Sequence, residues 1–219
     1  MAQEIPLFPL RTVLFPGMPL PLRVFEERYR AMTRELLRTS GVFGVLLIRQ
    51  GQEVGGGAVP YDVGTTAVIE EYEEVEDGRF VLACRGVQRF RLLRMLPPRP
   101  YPFGEVEIIP ETRPIPSARL SQALEHVRVV FPGYFRLALA LTDQWARPFS
   151  LPDDPNTLVN LLGPWLKAEE TDKQRLLELV DPAERVECLA ALLDRLAGEV
   201  TTEVTSRRRQ RFGGLGSQN

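Results

Sequence analysis

The sequence predicts an α+β protein in two lobes, mostly strand up to about residue 110 and helical beyond it. Three observations support this. Short β-rich runs separated by glycine and Asp-Gly turn signals fill the first half. Pro110, Pro114 and Pro116 then stiffen the chain and end the strand pattern. After them every segment has helical spacing with well-marked helix starts. The boundaries read from this are 1–112 for the β lobe, 117–205 for a helical bundle and 206–219 for a flexible tail.

Leu20-Pro21-Leu22-Arg23-Val24-Phe25 is extended by its prolines, which also remove donors and suit an edge or strand start. Glu26 to Thr39 places Tyr29, Met32, Leu36 and Leu37 at helical spacing, with acids in its first turn and Ser40-Gly41 at its end. Val42 to Ile48 reads as a buried strand, and Gly51 to Gly57 as a flexible hairpin loop. A strand from Gly64 to Glu76 turns at Asp77-Gly78, a pair suited to positive φ, into Arg79 to Cys84. More strand follows at Gln88 to Met95 and Phe103 to Ile109. Beyond the prolines, helix starts are marked at Asp154-Pro155, Thr171-x-x-Gln174 and Asp181-Pro182-x-Glu184. The last helix aligns Val186, Leu189, Leu193, Leu196 and Val200 on one face, which suits packing inside a bundle.

Composition removes several classes of function. With 27 Lys+Arg against 29 Asp+Glu, no global field draws the chain to nucleic acid or anionic lipid. No apolar run approaches the roughly 20 residues that span a bilayer, and Met1-Ala2-Gln3-Glu4 does not open a secretory signal, so the expected location is cytoplasmic. The only lysines, Lys167 and Lys173, fit neither a phosphate loop nor a Ser-Lys nucleophile pair. The single His126 lies off the stripe Leu120, Leu124, Val127, Phe131, which leaves no catalytic triad or histidine metal site. Cys84 and Cys188 lack any Cys-x-x-Cys or Cys/His cluster and read as reduced thiols. No cofactor and no metal are expected.

The first half also contains ordered blocks. Ile5-Pro6-Leu7-Phe8-Pro9-Leu10, Val13-Leu14-Phe15-Pro16-Gly17, Leu20-Pro21-Leu22 and Val24-Phe25-Glu26-x-Arg28-Tyr29 come first. Phe43-Gly44-Val45, Val63-Gly64-Thr65, Asp77-Gly78-Arg79, Gly86-Val87-Gln88-Arg89-Phe90-Arg91 and Pro100-Tyr101-Pro102 follow. In order and spacing the chain resembles the amino-terminal substrate-binding domain of the Lon protease family, from residue 3 to about 110 and more loosely to about 200. That resemblance implies a PUA-like, mostly antiparallel β-lobe with one helix, followed by an α-helical bundle. It does not extend to the ATPase and Ser-Lys peptidase domains of Lon. It therefore implies a non-catalytic module that binds unfolded or damaged polypeptides, as an adaptor or quality-control factor, with a separate Lon protease as a further partner. The alternative is a PUA-like RNA-binding protein, which the absence of a basic stripe with interleaved aromatics disfavours.

Leu14, Phe15 and Met18 flank the Pro16-Gly17 pair, which suits a type II turn, and Glu26, Glu27 and Arg28 open the helix that follows. Together they make the candidate polypeptide-binding surface, an apolar anchor with a polar rim. The competing reading puts Phe15 and Met18 in the core and assigns Glu26 and Glu27 to the helix dipole.

Overall fold

The computed structural model describes residues 2–39, 41–97, 99–142 and 150–213, with side chains as far as residue 207. Six strands come first: β1 (Gln3–Leu10), β2 (Pro19–Val24), β3 (Phe43–Gln50), β4 (Val59–Val75), β5 (Arg79–Met95) and β6 (Phe103–Ile108), with helix α1 (Glu27–Thr39) after β2. Helices α2 (Ala118–Ala140), α3 (Pro155–Leu162), α4 (Glu170–Glu178) and α5 (Pro182–Gly213) follow, which is the α+β order expected. The strands are ordered β2-β5-β4-β3-β1-β6, and β5 pairs with β6 as well. Five strands thus close into a ring, and β2 lies outside it, paired only to the first half of β5. β1 and β3 run parallel, whereas the other pairs are antiparallel.

Two compact units divide the chain, but not at one point. Residues 1–111 and 170–180 form one, and 112–169 with 181 onward form the other. The first break falls in the expected proline linker. The expected helical lobe 117–205, however, loses α4 to the β unit. The expected tail from 206 also differs, because α5 continues to Gly213; residues 214–219 lie outside the described residues.

α4 belongs with the strands because polar groups along its length fix it there. Glu170 accepts the Val13 N–H at 2.6 Å. Gln174, 1% exposed, donates to the Val63 carbonyl at 2.9 Å. At the helix end the fully buried Arg89 donates Nη1 to the carbonyls of Leu177 (2.9 Å) and Leu179 (2.6 Å), satisfying acceptors that the last turn leaves open. Thr171-x-x-Gln174 is therefore not a cap: the helix begins at Glu170, and Gln174 instead ties it to β4.

β1 is a strand that the sequence reading passed over, since Pro6 and Pro9 obscure it. Leu7 donates its N–H to the Pro102 carbonyl, continuing the β6 ladder, so odd-numbered N–H groups of β1 face β6 and even-numbered ones face β3. Pro6 faces β3 just before that pairing begins at Leu7, and Pro9 faces the β6 side just after that pairing ends. Neither ring removes a bond that the sheet uses. β5, read as two strands, is continuous through Gly86, where a Cβ would lie 2.3 Å from the Phe15 carbonyl oxygen. Asp77 and Gly78 both take positive φ at the β4–β5 tip, as their pairing suggested. α1 lies over one main core of the β unit, with Tyr29, Met32 and Leu36 packed among Phe8, Phe43 and Phe80.

In the second unit the helix starts hold as read. Asp154 accepts the Thr157 N–H at 2.8 Å, and Asp181 accepts those of Ala183 and Glu184. The α5 stripe Val186, Leu189, Leu193, Leu196 and Val200 is buried, as are Leu120, Val127 and Phe131 of α2. His126 is exposed and bonds Asp194 at 2.7 Å.

Candidate functional site

Two adjoining clefts open on the β unit, on either side of Tyr29. The first, about 390 Å³, is walled by Phe8 and Leu10 of β1, Leu22 and Val24 of β2, and the exposed Phe25 and Val54. The second, about 490 Å³, lies against Pro9, Tyr29, Met95, Leu96 and Tyr101, with Arg28 and Arg99 on its rim. Both volumes fall in the range of ordinary ligand sites. Tyr29 and Glu53 line both clefts, so the two form one groove interrupted by these residues.

The groove exists because β1 and β2 do not pair. β2 reaches the ring only through β5, and the second half of β1 is bound only by β3, so the first cleft lies between two open edges. Its floor is core: the Tyr29 ring stacks on Phe8 at 4.0 Å between centroids, 14° from parallel, with the Arg28 guanidinium 4.5 Å above Tyr29. Burial, opposed by Arg28, pushes the Tyr29 phenol up. Tyr101 donates to Glu35 at 2.6 Å, and burial followed by that bond pushes its phenol up to about 12. Neither tyrosine is available as a base near neutrality.

The loop 51–57 forms the other wall. Gly51, Gly55, Gly56 and Gly57 all take positive φ, which lets this stretch fold back over the helix start. It is tied there by two α1 neighbours. Glu26 accepts the Gly55 N–H at 3.2 Å, and Arg28 donates to the Glu53 carbonyl at 3.3 Å while pairing with Glu26 at 3.0 Å.

The residues proposed from sequence are thus separated. Glu26 and Arg28 reach the groove, where they hold its loop. Glu27 does not: it is exposed and pairs with Arg30 at 2.8 Å and Arg34 at 3.6 Å. Leu14 and Phe15 point into the core, Phe15 at 0% exposure, and Met18 packs half-buried on it. The Pro16-Gly17 turn is present, with Met18 N–H bonded to Phe15 O at 3.0 Å and Gly17 at φ 79°, but it closes onto β5 at Gly86 rather than onto the groove. The sequence reading missed Phe25, Tyr29, Val54, Met95 and Tyr101 as groove residues. The outward step of Phe25 at the end of the β2 alternation and the Pro100-Tyr101-Pro102 block were the available signals.

The arrangement supplies apolar area with a mixed-charge rim. Among the described residues no cluster of three His, Cys, Asp or Glu is placed to hold a metal, and no helix is long and apolar enough to cross a membrane.

The profile of the family described as the ATP-dependent protease La (LON) substrate-binding domain matches residues 4–195. A Lon protease of Methylocella silvestris is 32% identical over 187 residues, 83% of this chain and 22% of that protein. One of Anaeromyxobacter dehalogenans is 25% identical over 87% of this chain and 23% of its own length. The chain therefore spans about a quarter of the length of these relatives. A crystal structure of a Lon N-terminal domain protein from Xanthomonas campestris superposes with a TM-score of 0.64 at 30% identity, covering 86% of this chain and 98% of that one. The N-terminal domain of a Mycobacterium avium complex Lon protease shares the fold, with a TM-score of 0.65 at 20% identity, over 88% and 98% of the two chains.

Proposed function

The chain belongs to the LON substrate-binding domain family, and we propose on that premise that it binds segments of unfolded or damaged polypeptide in the groove beside Tyr29. It contributes recognition and not cleavage, acting in the cytoplasm as an adaptor or quality-control factor that can present its cargo to a separate Lon protease. The single observation that favours this groove is the exposure of large apolar side chains beside core-lined clefts: Phe25 is 56% exposed, Val54 52% and Met95 46%. A polar rim of Arg23, Glu26, Glu53 and Arg99 surrounds them, the mixture of apolar centre and charged edge that a protein-binding surface uses. Several arginines that an RNA reading would call on are engaged with carboxylates, such as Arg85 with Glu70 and Arg94 with Glu105.

The test is binding of a labelled, permanently unfolded polypeptide to the purified chain and to a Phe25→Ser, Met95→Ser variant, with a labelled structured RNA as a parallel probe. Loss of about tenfold in polypeptide affinity, at unchanged melting temperature, is the expected result. Unchanged polypeptide binding by the variant removes the groove from the function. Tight RNA binding with none to polypeptide replaces the reading altogether.

A further inference from the structure

The groove is short of main-chain donors. Gly86 donates its N–H to Met18 O in the ladder between β5 and β2, so even-numbered residues of β2 bond β5, and Pro19, Pro21 and Arg23 face the open edge. Two of those three have no N–H. On β1 the open position past Leu7 is Pro9, which also has none. Pro9, Pro100 and Pro102 line the second cleft, and Pro21 lines the first. A polypeptide that added as a strand to either edge would find acceptors without matching donors, leaving its own carbonyls unpaired. What the walls do offer is side-chain surface, notably the exposed Phe25, Val54 and Met95 over a floor that includes the buried rings of Tyr29 and Tyr101.

The charges are not balanced either. Glu26 and Arg28 neutralise each other at 3.0 Å, which leaves Arg23 and Arg99 against Glu53. Arg99 makes a solvent-exposed pair with Glu4 at 3.4 Å. Arg23 is exposed, has no hydrogen-bond or ion-pair partner among the described residues, and is the one outward position of β2 that keeps a backbone N–H. A guanidinium and an amide on one residue suit a carboxylate.

Resting on the reading of this groove as a polypeptide site, we propose that its substrate is an extended segment in polyproline-II-like conformation, apolar and carrying an acidic side chain that meets Arg23, recognised through side chains and not by strand addition. Such a segment keeps its backbone solvated and forms no ladder, so the missing donors cost it nothing. Proline within the segment is tolerated for the same reason.

Fluorescence anisotropy with three labelled octapeptides tests this: an apolar, proline-containing parent with one aspartate, the same peptide N-methylated at alternate backbone positions, and the parent with lysine in place of aspartate. On the unaltered chain the N-methylated peptide binds within about 3-fold of the parent, and the lysine peptide binds about 10-fold more weakly, the loss of one charge-assisted contact. Arg23→Glu, at an exposed position, reverses that charge preference. A loss greater than about 3-fold on N-methylation shows strand addition and overturns the proposal, as does a lysine peptide that binds as well as the parent. If the parent does not bind, or binds Phe25→Ser equally well, the groove is not the site and the underlying reading falls with the proposal.

Discussion

Arg89→Met is the substitution that most directly tests how the β unit holds α4. The Arg89 guanidinium is fully buried and makes bonds of 2.9 and 2.6 Å to the Leu177 and Leu179 carbonyls, and of 3.1 Å to the half-exposed Glu111 carboxylate. Methionine fills much of the same space but leaves the two carbonyls without this donor, at about 1–3 kcal/mol each. The offset is real, because Nη2 of Arg89 is buried without a protein partner, and its removal relieves a cost of about 1–3 kcal/mol. Taking about 2 kcal/mol for each carbonyl and for the relieved Nη2, and about 1 kcal/mol for the lost contact with the half-exposed Glu111, the net expectation is a loss of about 3 kcal/mol, at the lower edge of what breaking a buried charged contact costs. For a chain of this size that lowers the melting temperature by roughly 6–12 °C. Urea unfolding followed by hydrogen exchange gives the decisive measurement, because the α4 amides at 174–178 should lose protection more than those of β4. The reasoning fails if Arg89→Met changes stability by less than about 0.5 kcal/mol, the level of an ordinary surface substitution. It also fails if stability falls while α4 keeps its full protection relative to the sheet.

Phe25→Ser alone, at a side chain already 56% exposed, should weaken binding of unfolded polypeptide by about 1–2 kcal/mol while melting stays within about 1 °C; equal losses in both would make Phe25 a core residue. Gly64→Ala should not give a folded β unit, because a Cβ there lies 2.2 Å from the Val45 carbonyl oxygen and β3 must part from β4; a soluble variant with native circular dichroism would contradict the register. Tyr101 titrates near 12 when folded against 10.0 as a free phenol, so folding favours its protonated form. The stability that this supplies is full below pH 10 and disappears as pH rises through about 12, and Tyr101→Phe should flatten the alkaline fall of stability in that window. Burial similarly pushes the Cys84 thiol up to about 12 from 9.0, so in a Cys188→Ala background thiol labelling at pH 8 should wait for unfolding; rapid native labelling would refute that burial. The purified chain should hydrolyse neither ATP nor casein, and activity that co-purifies with it through repeated steps would refute the proposed non-catalytic role.

The readable parts of the sequence were those fixed within one element. Asp154 and Asp181 mark helix starts because a cap bond spans two or three residues, and Asp77-Gly78 marks the hairpin because positive φ is a property of those residue types. Glu26 and Arg28, expected at the binding surface, line the groove, but for a reason the sequence carries only in part. Their place at the start of α1 was legible, whereas their bonds to Gly55 and Glu53 bring in a loop about 25 residues further along the chain. Leu14 and Phe15 illustrate the opposite difficulty. A turn with large apolar neighbours looks the same in sequence whether those side chains face solvent or core, and only the close approach of Gly86 decides it.

By itself, then, the sequence determined the α+β order, the helix starts at Asp154 and Asp181, the β4–β5 turn and, through its ordered blocks, the family to which the chain belongs. Tertiary structure alone decided that β1 is a strand despite two prolines, that α4 belongs with the strands, and that the groove lies between unpaired edges of β1 and β2. The physical reason is the range of the interactions. Caps, turns and periodicity act between near neighbours and leave their mark on residue type. Whether a proline's missing N–H faces a partner or open space, and whether Arg89 finds the end of a helix some 90 residues away, depends on contacts that no local pattern encodes.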